Sequence, residues 1–335
     1  MARKLLLGLL VVVFLLLLWI TTAYFSWLSD TSSRLEAGSS VVATPSGEIE
    51  YALWGDSGPV LLFLHGTPGG YDQLSFLTGP AAIPEGYRVL APSRPGYLQT
   101  PLAVGSTPVE QADAFADLVR TLGIDRVAVV GLSGGGPSAL EFALRHPDLC
   151  SAHIQMMGVS RAMLPSEEAP DSLESTMTDD PASFTNRLLS SNFAGWVLLR
   201  LMRMDMAASL ETAMPDPSNR ERILEDPEKV DAFIAMADSA FALQESRRDG
   251  FLNDMSQFED LKVTDLAAIR CPTRVVHGTA DTNVPLAMGE LVASGVPGAE
   301  IVRIEGADHF MPVSHAEEVA TAVFGFVDTH TAARK

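Results

Sequence analysis

The run Arg126–Arg145, RVAVVGLSGGGPSALEFALR, decides the fold. Val127 to Val130 is an apolar, β-branched stretch that reads as a buried strand, and Ser138 to Arg145 carries apolar residues at helical spacing. Between them, GLSGGG places glycine at four of six positions around Ser133. A strand that becomes a helix this abruptly forces the apex residue into a strained backbone conformation. Small residues two before and two after it, here Gly131 and Gly135, let the two arms pass. The Ser133 hydroxyl is then exposed at the carboxyl edge of a sheet, over helix N–H groups that favour negative charge. G-x-S-x-G alone arises by chance about 0.1 times in a chain of this length. Its setting between strand and helix is what makes Ser133 a candidate nucleophile. A phosphate cradle fits less well, because no Lys follows the glycines and no G-x-G-x-x-G register fits a dinucleotide site.

Working outward, the same alternation of strand and helix recurs. Val41 to Thr44 and Ile49 to Trp54 flank the hairpin signal Pro45-Ser46-Gly47. Val60 to Leu64 is a continuous apolar strand ending in His65-Gly66-Thr67-Pro68-Gly69-Gly70, and Arg88 to Ala91 is a strand ending in PSRPGY. Thr107 with Glu110 forms a capping-box pattern for a helix to about Leu122. Strand signals resume at Cys150, at Pro272 to His277 and at Glu300 to Ile304, and a last helix runs from about His315 to Val327. This spacing predicts an α/β class with a mostly parallel sheet covered by helices on both faces. From Ser160 to Leu261 the rhythm changes to acidic helix-like segments broken by Pro165, Pro170, Pro181, Pro215, Pro217 and Pro227. That stretch is read as a helical cap inserted over the carboxyl edge of the sheet.

Serine needs an adjacent base, which in turn needs an orienting acid. In a parallel sheet these meet at the carboxyl ends of the strands. Asp281 and His309 each follow the end of a strand, and both come after Ser133 in the order Ser, Asp, His. Asp281 has a plainer reading as the cap of the helix near Pro285. Asp308, the neighbour of His309, is the competing acid, with its side chain expected to point elsewhere. His65 and Arg94 are read as anchors of their loops and His277 as a packing residue. No histidine pair has metal spacing and no cysteine lies near enough to complete a site, so neither metal nor other cofactor is expected.

The motifs HGTPGG, RPGY, GLSGGG, GTADTNVP and GADHF together resemble a capped α/β-hydrolase, over about residues 41–330 apart from the insertion. The resemblance implies Ser133 as nucleophile, His309 as general base and acid, and Asp281 as the carboxylate that fixes the imidazole. It also implies an oxyanion hole from the backbone N–H groups of Gly134 and Thr67. Epoxide hydrolases and haloalkane dehalogenases, similar at HGTP, carry aspartate at the elbow, and no tyrosine lies between Ser160 and Leu261 to open an epoxide. Proline iminopeptidases share the HGTPGG loop but carry Trp where this chain has Gly134. The expectation is a carboxylesterase or lipase-like serine hydrolase of small to medium acyl substrates. Alternatives are an iminopeptidase-like aminopeptidase and a non-catalytic binding module.

The N-terminus stands apart. After Arg3 and Lys4, Leu5 to Ile20 is apolar throughout, long enough to span the roughly 30 Å hydrocarbon layer, with Trp19, Tyr24 and Trp27 where an interfacial belt would be. Residues 1–28 are read as an uncleaved membrane anchor, with a cleaved signal as the alternative. The two leading basic residues keep the N-terminus cytoplasmic and place the body on the outer side. Residues 29–40 read as a polar linker, 41–159 and 262–330 as the core, and 160–261 as the cap. A net charge of −19 argues against a nucleic-acid partner. Cys150 and Cys271 are read as small buried hydrophobes. Phe193, Trp196, Leu199, Met202 and Met206 are read first as the packed face of a cap helix, then as an acyl-pocket or membrane-resting face.

Overall fold

The buried strand signals resolve into one eight-stranded sheet. Its strands are β1 (Ser40–Thr44), β2 (Gly47–Trp54), β3 (Val60–Leu64), β4 (Arg88–Pro92), β5 (Val127–Leu132), β6 (Cys150–Met156), β7 (Thr273–Gly278) and β8 (Glu300–Ile304). The computed structural model describes residues 2–76, 83–162 and 191–331. Strand order is β1-β2-β4-β3-β5-β6-β7-β8. The β1–β2 hairpin and the β2–β4 pair are antiparallel, and every pair from β4 to β8 is parallel. Because β3, β4 and β5 are all buried, alternate residues serve opposite faces. Leu61, Phe63, Val89 and Val130 pack on one side with the C-terminal helix. Leu62, Leu64, Leu90 and Val129 pack on the other against α2 (Pro108–Thr121) and α3 (Gly136–Arg145). Thr107 and Glu110 cap α2 reciprocally, as their spacing predicts.

β3 lies between β4 and β5, so the chain leaves it in one direction and returns on the other side. That reversal opens a crevice at the carboxyl ends of β3 and β5. The loops that enter it are His65–Gly70 after β3 and the GLSGGG turn after β5.

The described part of the cap consists of α4 (Asn192–Met204), α5 (Met206–Ala213), α6 (Pro217–Leu224), α7 (Pro227–Phe241) and α8 (Arg248–Glu259). Ser191, Asp205, Asp216 and Asp226 cap the first four, each accepting a backbone N–H of its helix. Pro217 and Pro227 occupy first helical positions, where a missing N–H costs nothing. Residues 163–190, with Pro165, Pro170 and Pro181, lie outside the described residues. Beyond the cap come α9 (Leu286–Gly295), α10 (Met311–Ser314) and α11 (Ala316–Thr331).

The N-terminal reading needs one correction. Residues 29–37 are not linker but the last turns of α1 (Ala2–Ala37), a continuous helix long and apolar enough to cross a membrane. Thr31 and Leu35 are buried in the body and Leu28 packs beside them, while the Tyr71 hydroxyl donates to the Leu35 carbonyl at 2.6 Å. Ser29, Asp30, Ser33, Arg34 and Glu36, the polar residues that suggest a linker, are exposed on that helix. Cys150 and Cys271 are free thiols, both buried, with sulfurs 3.1 Å apart.

Candidate active site

The GLSGGG turn places Ser133 at φ +48°, the left-handed region that a side chain occupies only under constraint. A side chain at Gly131 would meet Ala139, and one at Gly135 would meet the Leu64 carbonyl oxygen at 2.3 Å, so neither position admits one. Ser133 Oγ is 3.0 Å from His309 Nε2. Asp281 Oδ2 is 2.8 Å from His309 Nδ1, which fixes the tautomer with the proton on Nδ1 and leaves Nε2 to accept from serine. Asp281 also does what its plainer reading predicts. Its other oxygen accepts the N–H groups of Asn283 and Val284, each at 2.9 Å, leading the chain into α9. One carboxylate thus caps a turn and orients a ring.

Electrostatics follow from that arrangement. Burial opposes charge on both partners, lowering the His309 pKa and raising that of Asp281. The attraction between them, with their shared hydrogen bond, outweighs it. His309 is therefore held above its ordinary 6.5 and Asp281 below the ordinary carboxylate value. Asp308 turns aside, accepting the Phe310 N–H at 2.9 Å, and burial raises its pKa. His277 donates to the Val284 carbonyl at 2.8 Å, and burial holds its pKa low. Its role is to support the turn that presents Asp281.

The loop after β3 is pinned from two sides. His65 Nε2 accepts the Arg94 N–H at 2.9 Å, and the Arg94 guanidinium donates to the His65 carbonyl. Gln73 accepts the Gly66 N–H at 2.6 Å. Thr67 then lies across the elbow: a Cβ on Gly134 would sit 2.0 Å from Thr67 Oγ1 and 2.9 Å from Thr67 Cβ. Thr67 and Gly134 therefore face each other beside Ser133, which accounts for glycine at the position after the serine.

Sequence reasoning missed Asp254. This carboxylate, on cap helix α8, is buried and receives Arg94 at Oδ1 (2.9 Å), while its Oδ2 takes Arg94, Tyr97 and Thr67 Oγ1, each at 2.5 Å. One turn further along α8, the Phe258 ring would lie 3.1 Å from a Cβ on Gly134. Arg247 adds a second tie, pairing with Asp72 at 2.9 Å and donating to the Gly69 carbonyl at 2.7 Å. A buried arginine demands a carboxylate, so Arg94 was the available signal. Nothing local says that its partner lies 160 positions away.

Such a site can transfer a proton from a hydroxyl to an imidazole at the mouth of a crevice. Among the described residues, no three His, Cys, Asp or Glu side chains group as metal ligands.

The chain is 26% identical over 285 residues to the protein described as uncharacterized hydrolase YcgS of Bacillus subtilis (strain 168), covering 84% of this chain and 96% of that one. It is 29% identical to a pimeloyl-[acyl-carrier protein] methyl ester esterase of Aromatoleum aromaticum, over 79% of this chain and 96% of the relative. Among solved structures, an alpha/beta hydrolase fold protein from Nakamurella multipartita superposes with a TM-score of 0.70 at 30% identity, covering 86% of this chain and 97% of that one. The family model described as alpha/beta hydrolase family matches residues 61–322, most of the sheet and the cap together. The chain belongs to the alpha/beta hydrolase family.

Proposed function

We propose that the protein is a serine carboxylesterase that works through an acyl-enzyme on small to medium acyl esters. The observation that carries this reading is the unbroken path of hydrogen bonds from Ser133 Oγ through His309 to Asp281, made by segments 133, 281 and 309 of the chain. Ser133 Oγ attacks the ester carbonyl as its proton passes to His309 Nε2. Asp281 stabilises the imidazolium that forms, and the N–H groups of Gly134 and Thr67 receive the oxyanion. His309 then protonates the leaving alcohol, and water repeats the sequence to release the acid. The methyl ester named for the Aromatoleum relative is in keeping with an ester substrate.

The aminopeptidase alternative needs a cap carboxylate free to receive an amine. Among the described residues, the buried cap acid beside the elbow is Asp254, and it is already taken up by Arg94, Tyr97 and Thr67, which favours the esterase. We read α1 as a membrane anchor whose leading Arg3 and Lys4 keep the N-terminus cytoplasmic and the body on the outer side.

The test is labelling by a fluorophosphonate together with ester turnover. Ser133 is expected to carry the adduct, and Ser133→Ala to lower kcat by at least about 10⁴. An unlabelled serine, or ester turnover that survives the substitution, overturns the mechanism and leaves the binding module.

A further inference from the structure

Cap helix α4, NFAGWVLLRLMRM, has two apolar faces where a surface helix normally has one. The first, with Trp196 and Leu199, is buried: Leu199 packs with Ala237 and Phe241 of α7 and with Trp27 of α1, and Trp196 packs against Tyr24 of α1. The second consists of Phe193, Val197, Leu201 and Met204, at steps of four, four and three along the helix. It faces outward: Phe193 is 42%, Leu201 56% and Met204 81% exposed. In a chain of net charge −19, this helix holds no acidic residue and two arginines. Arg200 stacks over the Trp196 ring at 5.7 Å, and Arg203 pairs with Asp238 at 2.7 Å.

The stripe adjoins the place where α1 leaves the body. The Tyr24 ring packs on Phe193 at 5.3 Å and on Trp196 at 5.7 Å. Upstream of it, Leu5 to Trp19 projects from the body with its large apolar side chains exposed. At 1.5 Å per residue, Tyr24 lies about 28 Å along the helix from Leu5. That is close to the roughly 30 Å thickness of a hydrocarbon layer. If Leu5 marks one edge of the bilayer, Tyr24 marks the other, and the rings it touches on α4 stand at headgroup depth.

We propose that the outward stripe of α4 rests in the headgroup layer of the membrane that α1 enters, so that the cap receives amphiphilic acyl esters from the bilayer surface. The proposal deepens the esterase reading by naming the substrate class, and it rests on that reading and on α1 as a span. Phe193, Val197, Leu201 and Met204 enter the acyl boundary, while Arg200 reaches back to anionic headgroups.

The experiment uses the full-length chain reconstituted in vesicles of phosphatidylcholine and phosphatidylglycerol. A fluorophore at Leu201→Cys is expected to be quenched by nitroxide-bearing lipid, and one at the exposed Val263→Cys is not. The triple variant F193S/L201S/M204S is expected to lower the ratio of turnover on a vesicle-embedded long-chain ester to that on a soluble short-chain ester by about tenfold. Absence of quenching at 201 overturns the proposal, as does cross-linking of that site to a second copy in its place. An unchanged turnover ratio overturns the substrate claim. Quenching does not depend on turnover, so a quenched 201 site on a chain without esterase activity would uphold the surface and reject only the reaction.

Discussion

At the scale of single residues, the proposed reaction depends on a neutral His309. Burial lowers its pKa, and the charge of Asp281 with its hydrogen bond and the nearby Asp308 charge raise it further than burial lowers it. Activity is therefore full above that raised pKa and falls as pH drops through it. The acid limb of kcat/KM is expected at a midpoint above the ordinary 6.5. Asp281→Asn removes the charge that raises the histidine, so the limb should move to lower pH. The same change should lower kcat by about 10⁴, the loss seen when the Ser-His-Asp template loses its acid. A limb that does not move in a pH–rate profile would assign it to another group. Gly134 gives a second residue-scale expectation. Gly134→Ala puts a methyl against Thr67 Oγ1, which Asp254 and Arg94 hold in place, and should cost about 10² in kcat by displacing a proposed oxyanion donor. Adding Thr67→Ala removes the closest clash, so the double variant should recover part of that loss. Strict additivity in the kinetic cycle would mean that the two residues do not share a site.

At the scale of elements, legibility in the sequence followed the range of the interaction. Strands β3 and β5 were readable because both faces are buried, which leaves an uninterrupted apolar run. The α2 start was readable because Thr107 and Glu110 satisfy each other within one turn. The Ser, Asp and His positions were readable because each sits just past a strand end, where topology alone brings side chains together. The grip of the cap on the core was not. Asp254 is one acidic residue among many in an acidic insertion, and its partners Thr67, Arg94 and Tyr97 are supplied by two loops of the core. Ser29–Ala37 misled for the opposite reason. Its composition is polar, but a docked helix needs only Leu28, Thr31 and Leu35 at helical spacing to hold one face against the body.

At the scale of the whole molecule, α1 is two things in one continuous helix. Its first half projects as an apolar rod, and its second half is part of the folded body. Leu35 shares a hydrophobic cluster with Tyr71, Leu74 and Phe76, Leu28 packs against that cluster, and Trp27 packs beneath the cap with Leu199. Helix α1 is thus packed against both the core and the cap, which is why, on the proposed reading of α1 as a span, its depth in a bilayer would set the depth of α4. The two halves should separate in a truncation series. Removing residues 3–19 takes away exposed side chains only, so the fragment should unfold with the stability of the full chain while no longer sedimenting with membranes. Removing residues 2–37 takes away the packing of Trp27, Leu28 and Leu35, exposes the apolar surface they cover, and removes the acceptor of the Tyr71 hydroxyl. The lost burial of these side chains and one lost hydrogen bond should together cost about 5 kcal/mol. That is a large fraction of the roughly 5–15 kcal/mol that holds a domain together. Denaturant titration of the two fragments checks this: equal midpoints would mean that the second half of α1 is tethered to the body without supporting it.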